Sequence, residues 1–173
     1  MLDYSPGPNC LYLVARRIWD IVASAALIWL ALPLMSILAI AIAATSPGPV
    51  LFRQTRLGKG CVPFVLYKFR SMYANVSDDD VHNTIDRRPA ARRSGTRVER
   101  RLSPIGEFIR RTSLDELPQL FNVLKGDMSF VGPRPLLASE AATCDPAHLK
   151  QMLEVKPGIT GLWQVEGRRR DPR

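Results

Sequence analysis

From Ile21 to Ala44 the chain carries 24 consecutive residues without a charge, IVASAALIWLALPLMSILAIAIAA. As a helix this run would reach about 36 Å, enough to cross a hydrocarbon core of roughly 30 Å. A helix in a soluble core is rarely apolar on every face, so the segment reads as membrane-embedded. A secretory signal would use Arg16 and Arg17 as its basic end and Ala41–Ala43 as its cleavage site, but such signals have a shorter apolar part, about 7–15 residues. A spanning anchor is the default for this length. A re-entrant hairpin is the other candidate, and two features favour it. Pro33 falls at the centre of the run, where it removes a backbone N–H and crowds the preceding turn. Basic residues flank both ends, Arg16 and Arg17 before and Arg53, Arg56 and Lys59 after, so charge offers no asymmetry to drive one end across. On the residues alone a kinked spanning helix remains open, because proline is common in membrane helices.

Beyond this segment, 173 residues suit a single domain. Three scattered cysteines, Cys10, Cys61 and Cys144, and two distant histidines, His82 and His148, argue against a disulfide framework or a zinc cluster and favour a reducing compartment. The net charge of +8 raises the question of nucleic acid. No zinc-finger pattern, RNP-like aromatic motif or recognition helix accompanies it, so no nucleic-acid partner is expected. Thr45-Ser46-Pro47-Gly48-Pro49 is turn chemistry and ends the apolar segment. Val50–Phe52 and Phe64–Phe69 read as short strands joined around Leu57-Gly58-Lys59-Gly60. Ser77 to Arg101 is polar and arginine-rich, a surface loop able to attract anionic headgroups. Ile105, Phe108 and Ile109 begin one helix; Leu117, Leu120, Phe121 and Leu124 form a second, which Gly126 stops; a third lies near His148–Leu153.

Asp115 and Glu116 are the most informative pair. Ser113-x-x-Glu116 matches a capping box, which would make the acids helix-terminal stabilisers. A helix starting with Pro118 at its first position is equally allowed. Either way the carboxylates would meet unpaired N–H groups, and Arg110, Arg111 and Arg134 stand nearby in sequence. Arginines should keep a carboxylate ionised, fit to bind Mg²⁺ or to attack phosphorus. Capping or ion pairing is the blander alternative. Lys68 and Arg168 offer further cations, each of which could be an ordinary surface charge.

FRQTRLGKG (52–60), YKFRSM (67–72), RRTSLDELPQLFNVLKGDMSFVGPRPLL (110–137) and KPGITGLWQVEGR (156–168) resemble the bacterial sugar transferases, monotopic phosphoglycosyl transferases acting on polyprenyl phosphate. The resemblance runs in order from about Arg16 to Arg168. It implies an α+β protein: a re-entrant helix–break–helix at 16–46, with Pro33 at the break, joined to a small catalytic part at 50–173 of helices and a few short strands. It implies transfer of a sugar-1-phosphate from a UDP-sugar to undecaprenyl phosphate with release of UMP, the first membrane step of exopolysaccharide, O-antigen or glycoconjugate synthesis. Asp115 would be the nucleophile and a Mg²⁺ ligand, with Glu116 supporting it. Lys68, Arg110, Arg134 and Arg168 would lie near substrate phosphates. The setting implied is the bacterial inner membrane, in contact with lipid, with the catalytic part on the cytoplasmic side. Two departures stand out. Leu32 precedes the proline where relatives often carry a small hydroxyl residue. The chain also ends at Arg173, where relatives continue into an aromatic-rich tail, so an inactive or scaffolding homologue is the competing expectation.

Overall fold

The computed structural model describes residues 10–72 and 103–164. The arginine-rich loop, Arg168 and the end of the chain lie outside the described residues.

The apolar run forms most of one long helix, α1 (Cys10–Thr45), 36 residues with Pro33 inside it. The expected break at Pro33 is not there: the helix is continuous. A proline in a helix costs one backbone bond and some steric strain locally, and the turns on either side retain theirs. Next to Pro33, the Ser36 hydroxyl donates to the Leu32 carbonyl at 2.9 Å. The helix is long and apolar enough to cross a membrane, and little of its apolar stretch is buried against the protein.

The strands are β1 (Leu51–Leu57) and β2 (Pro63–Phe69), an antiparallel hairpin with Leu51 opposite Phe69 and Leu57 opposite Pro63. β1 extends further than the residues suggested, because its polar Arg53, Gln54, Thr55 and Arg56 carry no apolar run. In β2, Phe64 and Leu66 face inward at the two-residue period of a strand. A second pair, β3 (Ser129–Val131) and β4 (Gly158–Thr160), runs parallel.

Around these strands lie α2 (Pro104–Arg111), α3 (Gln119–Lys125), α4 (Ala138–Thr143) and α5 (Pro146–Leu153). Ser103 caps α2 by accepting from the Gly106 N–H at 2.9 Å. A side chain at Gly106 would collide with the Ser71 carbonyl, so glycine lets α2 pack directly on the exit of β2. Gly126 ends α3 in the left-handed region at φ 100° and donates to the Asn122 and Val123 carbonyls, as a helix stop requires.

Two apolar clusters fix the arrangement. Leu38 and Ile42 of α1 pack with Phe69 and Ile109, while Phe64 and Leu66 pack with Val123 and Met128. The opposite end of α1 is fastened by polar contacts instead. Arg17 donates to the Val123 and Leu124 carbonyls at 2.7 and 2.8 Å, closing the C-terminal end of α3. Buried Asp20 accepts from the Ser129 hydroxyl at 3.1 Å, and Arg16 donates to that same hydroxyl and to the Val131 carbonyl. Residues 16 and 42 are roughly 39 Å apart along a straight helix, and both regions meet the same folded body. The other side of α1, with Ile18, Trp19, Trp29, Leu30, Ile37 and Ile40, is exposed and apolar.

Candidate active site

Asp115 and Glu116 lie in a short 3-10 turn, Leu114–Glu116, between α2 and α3. Ser113 opens that turn in the left-handed region at φ 59°, an uncommon conformation for a residue with a side chain. Its hydroxyl caps nothing, and α3 begins only at Gln119 with Pro118 as its N-cap. The capping box is therefore absent. Glu116 turns instead to β2, where its carboxylate accepts from Lys68 Nζ at 3.0 Å.

Asn122 holds β2 in the register that presents Lys68. Fully buried on α3, it donates to the Val65 carbonyl at 2.7 Å and accepts from the Tyr67 N–H at 3.1 Å. Buried amides of this kind are costly unless satisfied, so the contact locks helix and strand together. The residues alone did not single out Asn122, although it stands inside the block NVLKGD.

Asp115 is buried, 9% exposed. Its carboxyl is pushed above the ordinary value of 3.8. Desolvation is the main cause; Glu116 adds to it, while Lys68, Arg110 and the Asp115 backbone N–H oppose it. The expectation of a low pKa among arginines is thus reversed, because burial outweighs the two cations. A carboxylate ionised at this cost gains from any cation that approaches it.

The site residues named from the sequence separate into groups. Lys68, Arg110, Asp115 and Glu116 come together. Arg134 forms an ion pair with Glu140 at 3.2 Å, and Glu140 also bridges to Arg56. Arg70, two residues after Lys68, is buried and donates to the Ser46 and Pro47 carbonyls, fixing the chain just past the end of α1.

Among the described residues no cluster of three or more His, Cys, Asp or Glu could hold a metal ion. Mg²⁺ does not need one: it takes one or two carboxylates and completes its shell with water and substrate phosphate. Asp115 beside Glu116 is a donor set of that type, hard oxygen ligands with a desolvated charge to offset.

A cavity of about 330 Å³ opens beside the turn. It is lined by Leu27 and Ala31 of α1, by Leu117 and Leu120, by Phe130 and Ile159, and by the polar Thr160 and Gln164. Ser113 and Glu116, from the turn that holds Asp115, also line it.

Comparison with known proteins fits this arrangement. The family model described as bacterial sugar transferase matches residues 11–173. The UDP-glucose:undecaprenyl-phosphate glucose-1-phosphate transferase of Klebsiella pneumoniae is 42% identical over 161 residues, covering 92% of this chain and 32% of that protein. The undecaprenyl-phosphate galactose phosphotransferase of Salmonella typhimurium is 43% identical over 159 residues, covering 88% and 33%. A UDP-glucose:undecaprenyl-phosphate glucose-1-phosphate transferase of Caulobacter vibrioides is 42% identical over 178 residues, covering 98% and 61%. The chain therefore spans less than two thirds of the length of each of these relatives. The matched region takes in the apolar helix, the acidic turn and the cavity walls together, and the chain belongs to the bacterial sugar transferase family.

Proposed function

We propose that this chain transfers a sugar-1-phosphate from a UDP-sugar to undecaprenyl phosphate or a similar polyprenyl phosphate. The observation that carries this reading is the placement of buried Asp115 among Glu116, Lys68 and Arg110, in a turn whose Ser113 and Glu116 line a cavity walled in part by the apolar helix. The names of the relatives support the substrate classes; they carry both glucose and galactose, so they leave the sugar open.

In this reading an Asp115 oxygen attacks the phosphorus bonded to the sugar. The bond from that phosphorus to the bridging oxygen breaks, and UMP leaves with the oxygen. A phosphate oxygen of the acceptor then attacks the same phosphorus and returns Asp115 to a carboxylate. Splitting the transfer into two displacements is what a carboxylate nucleophile provides. Lys68 and Arg110 offset the negative charge that a diphosphate brings, and such pre-set electrostatics supply much of the rate in phosphoryl transfer. Glu116 holds Lys68 in place. Arg134 and Arg168 are assigned to substrate phosphate through the family pattern alone. Mg²⁺ held by Asp115 would supply further charge neutralisation at the pyrophosphate.

α1 serves as the membrane element, with both ends on the cytoplasmic side of the bacterial inner membrane. Its two ends meet one folded body, and its outer face is apolar enough for lipid. Cys10 and Cys61, both exposed, report on this directly. An impermeant thiol reagent should miss both in right-side-out vesicles and label both in inverted ones. Labelling of Cys10 alone from outside would establish a spanning helix.

The inactive-homologue alternative would be favoured by a lost catalytic group, yet Asp115, Glu116, Lys68 and Arg110 are all present and assembled. The test is UMP release from UDP-sugars by membranes carrying the protein, with Mg²⁺ and polyprenyl phosphate. Release that disappears in Asp115→Asn supports the proposal; no release with any donor contradicts it.

A further inference from the structure

Ser113 stands where a glycine would be expected. It follows Thr112, the C-cap of α2, and turns the chain at φ 59°, a left-handed backbone that crowds a side chain. Gly126 turns the chain in the same region, at φ 100°, where α3 ends. A helix stop alone is served better by glycine, which takes up this backbone without crowding.

The main chain of Ser113 is fully occupied. Its N–H donates to the Arg110 carbonyl at 3.2 Å, and its carbonyl accepts from the Glu116 N–H at 3.2 Å. The end of α2 is completed by Thr112, whose hydroxyl donates to the Phe108 carbonyl at 2.8 Å. The Ser113 hydroxyl takes part in none of this and has no partner among the described residues. Half-buried, Ser113 lines the cavity together with Glu116, so the residues on either side of Asp115 in the turn open on the same space. Neither the helix stop nor a bond within the fold accounts for this side chain, and a ligand entering the cavity would meet it.

The group that must come within reach of Asp115 is the phosphoryl group in transit, whose oxygens only accept hydrogen bonds. A hydroxyl offers them a donor without a charge, so it does not tie up the nearby carboxylate as a further cation would. Resting on the function proposed above, we infer that Ser113 is a further catalytic residue, its Oγ–H donating to an oxygen of the phosphoryl group as that group passes to and from Asp115. No bond to Ser113 forms, and the proton stays on Oγ throughout. Charge is spread over those oxygens in the transition state, so a donor placed there acts on the rate more than on the binding of the sugar donor.

Ser113→Gly and Ser113→Ala test this together. Both remove the hydroxyl; glycine relaxes the left-handed backbone, and alanine keeps its crowding. The rate of UMP release from UDP-glucose or UDP-galactose with Mg²⁺, acceptor withheld, reads the first displacement alone. The expected result is a fall of about 10- to 100-fold at saturating donor in both variants, the scale of one hydrogen bond to a charged group. The half-saturating donor concentration should stay within about threefold, as for a contact that strengthens in the transition state. Ser113→Gly should also unfold at a denaturant concentration no lower than wild type, which separates a lost rate from a lost fold. A wild-type rate in either folded variant would overturn the inference: activity in both would return Ser113 to the helix stop, and a loss in Ser113→Gly alone would trace to a loosened turn. A change in the half-saturating concentration alone would overturn it too, making the hydroxyl a binding contact. A wild-type protein that releases no UMP from any donor would bring down the underlying function, and this assignment with it.

Discussion

Asp20 near the start of α1 and Asp115 in the acidic turn are both buried, 4% and 9% exposed, yet their surroundings have little in common. Asp20 accepts from the Ser129 hydroxyl and the Phe130 N–H, and Arg16 shares the same serine. Its hydrogen-bonding capacity is spent on joining a helix to a strand 109 residues away. Asp115 is left with its own backbone N–H and two cations that fail to offset desolvation. A satisfied buried carboxylate holds the fold together. One that is poorly satisfied is held ready to react, at some cost to stability.

That contrast can be broken or sharpened by substitution. Asp115→Asn should reduce UMP release by about 10³-fold or more, the usual scale for removing a nucleophile, whereas Asp20→Asn should leave the activity of folded protein within about twofold, outside the range of a catalytic loss. Comparable losses from both would erase the distinction. Lys68→Met should cost about 10- to 100-fold in kcat/KM, as removal of a positioned charge does. It should also shift the acidic limb of the pH profile. In the proposed mechanism Asp115 must be ionised to attack, so in the wild type that limb should lie above 3.8, and removing the opposing Lys68 charge should move it higher. A limb that stays in place would dissociate Lys68 from Asp115.

Stability supplies smaller effects of opposite sign. Asp20→Ala strands the Phe130 N–H and disrupts the bonds to Ser129, so unfolding should become easier by about 1–3 kcal/mol, seen as a lower denaturant midpoint. Asp115→Asn should raise that midpoint slightly at pH 8. The folded pKa of Asp115 is raised, so the folded state binds its proton more tightly than the unfolded chain does, and wild-type stability falls as pH rises through that interval. The advantage of the Asn variant should therefore vanish below about pH 3.8, where both states are protonated. A variant less stable than wild type at pH 8 would show that Asp115 has a structural role.

Features set by nearby residues were legible in the sequence. The uncharged run announced α1, Gly126 announced the end of α3, and Phe64–Phe69 announced nearly all of β2. The acidic pair and Lys68 were singled out from the residues and took their expected roles from the family resemblance; the structure pairs Lys68 with Glu116. What could not be read depends on contacts between distant parts of the chain. The capping pattern at Ser113 is locally sound, but the left-handed turn there directs Glu116 to Lys68 on β2. Asp115's raised pKa reflects burial by elements far from it in sequence, which no count of neighbouring arginines reports. Asp20 drew no attention as a lone acid ahead of an apolar run, because its partner Ser129 lies across the fold. Pro33 was expected to interrupt the helix, and α1 runs through it with packed residues on both sides.

In the proposed mechanism Asp115 itself takes the phosphosugar. Purified protein incubated with a UDP-sugar and Mg²⁺, with acceptor withheld, should release UMP and carry the mass of a sugar phosphate on the peptide containing Asp115, and hydroxylamine should remove it. UMP that appears only once acceptor is added, with the Asp115 peptide unmodified throughout, would contradict the account.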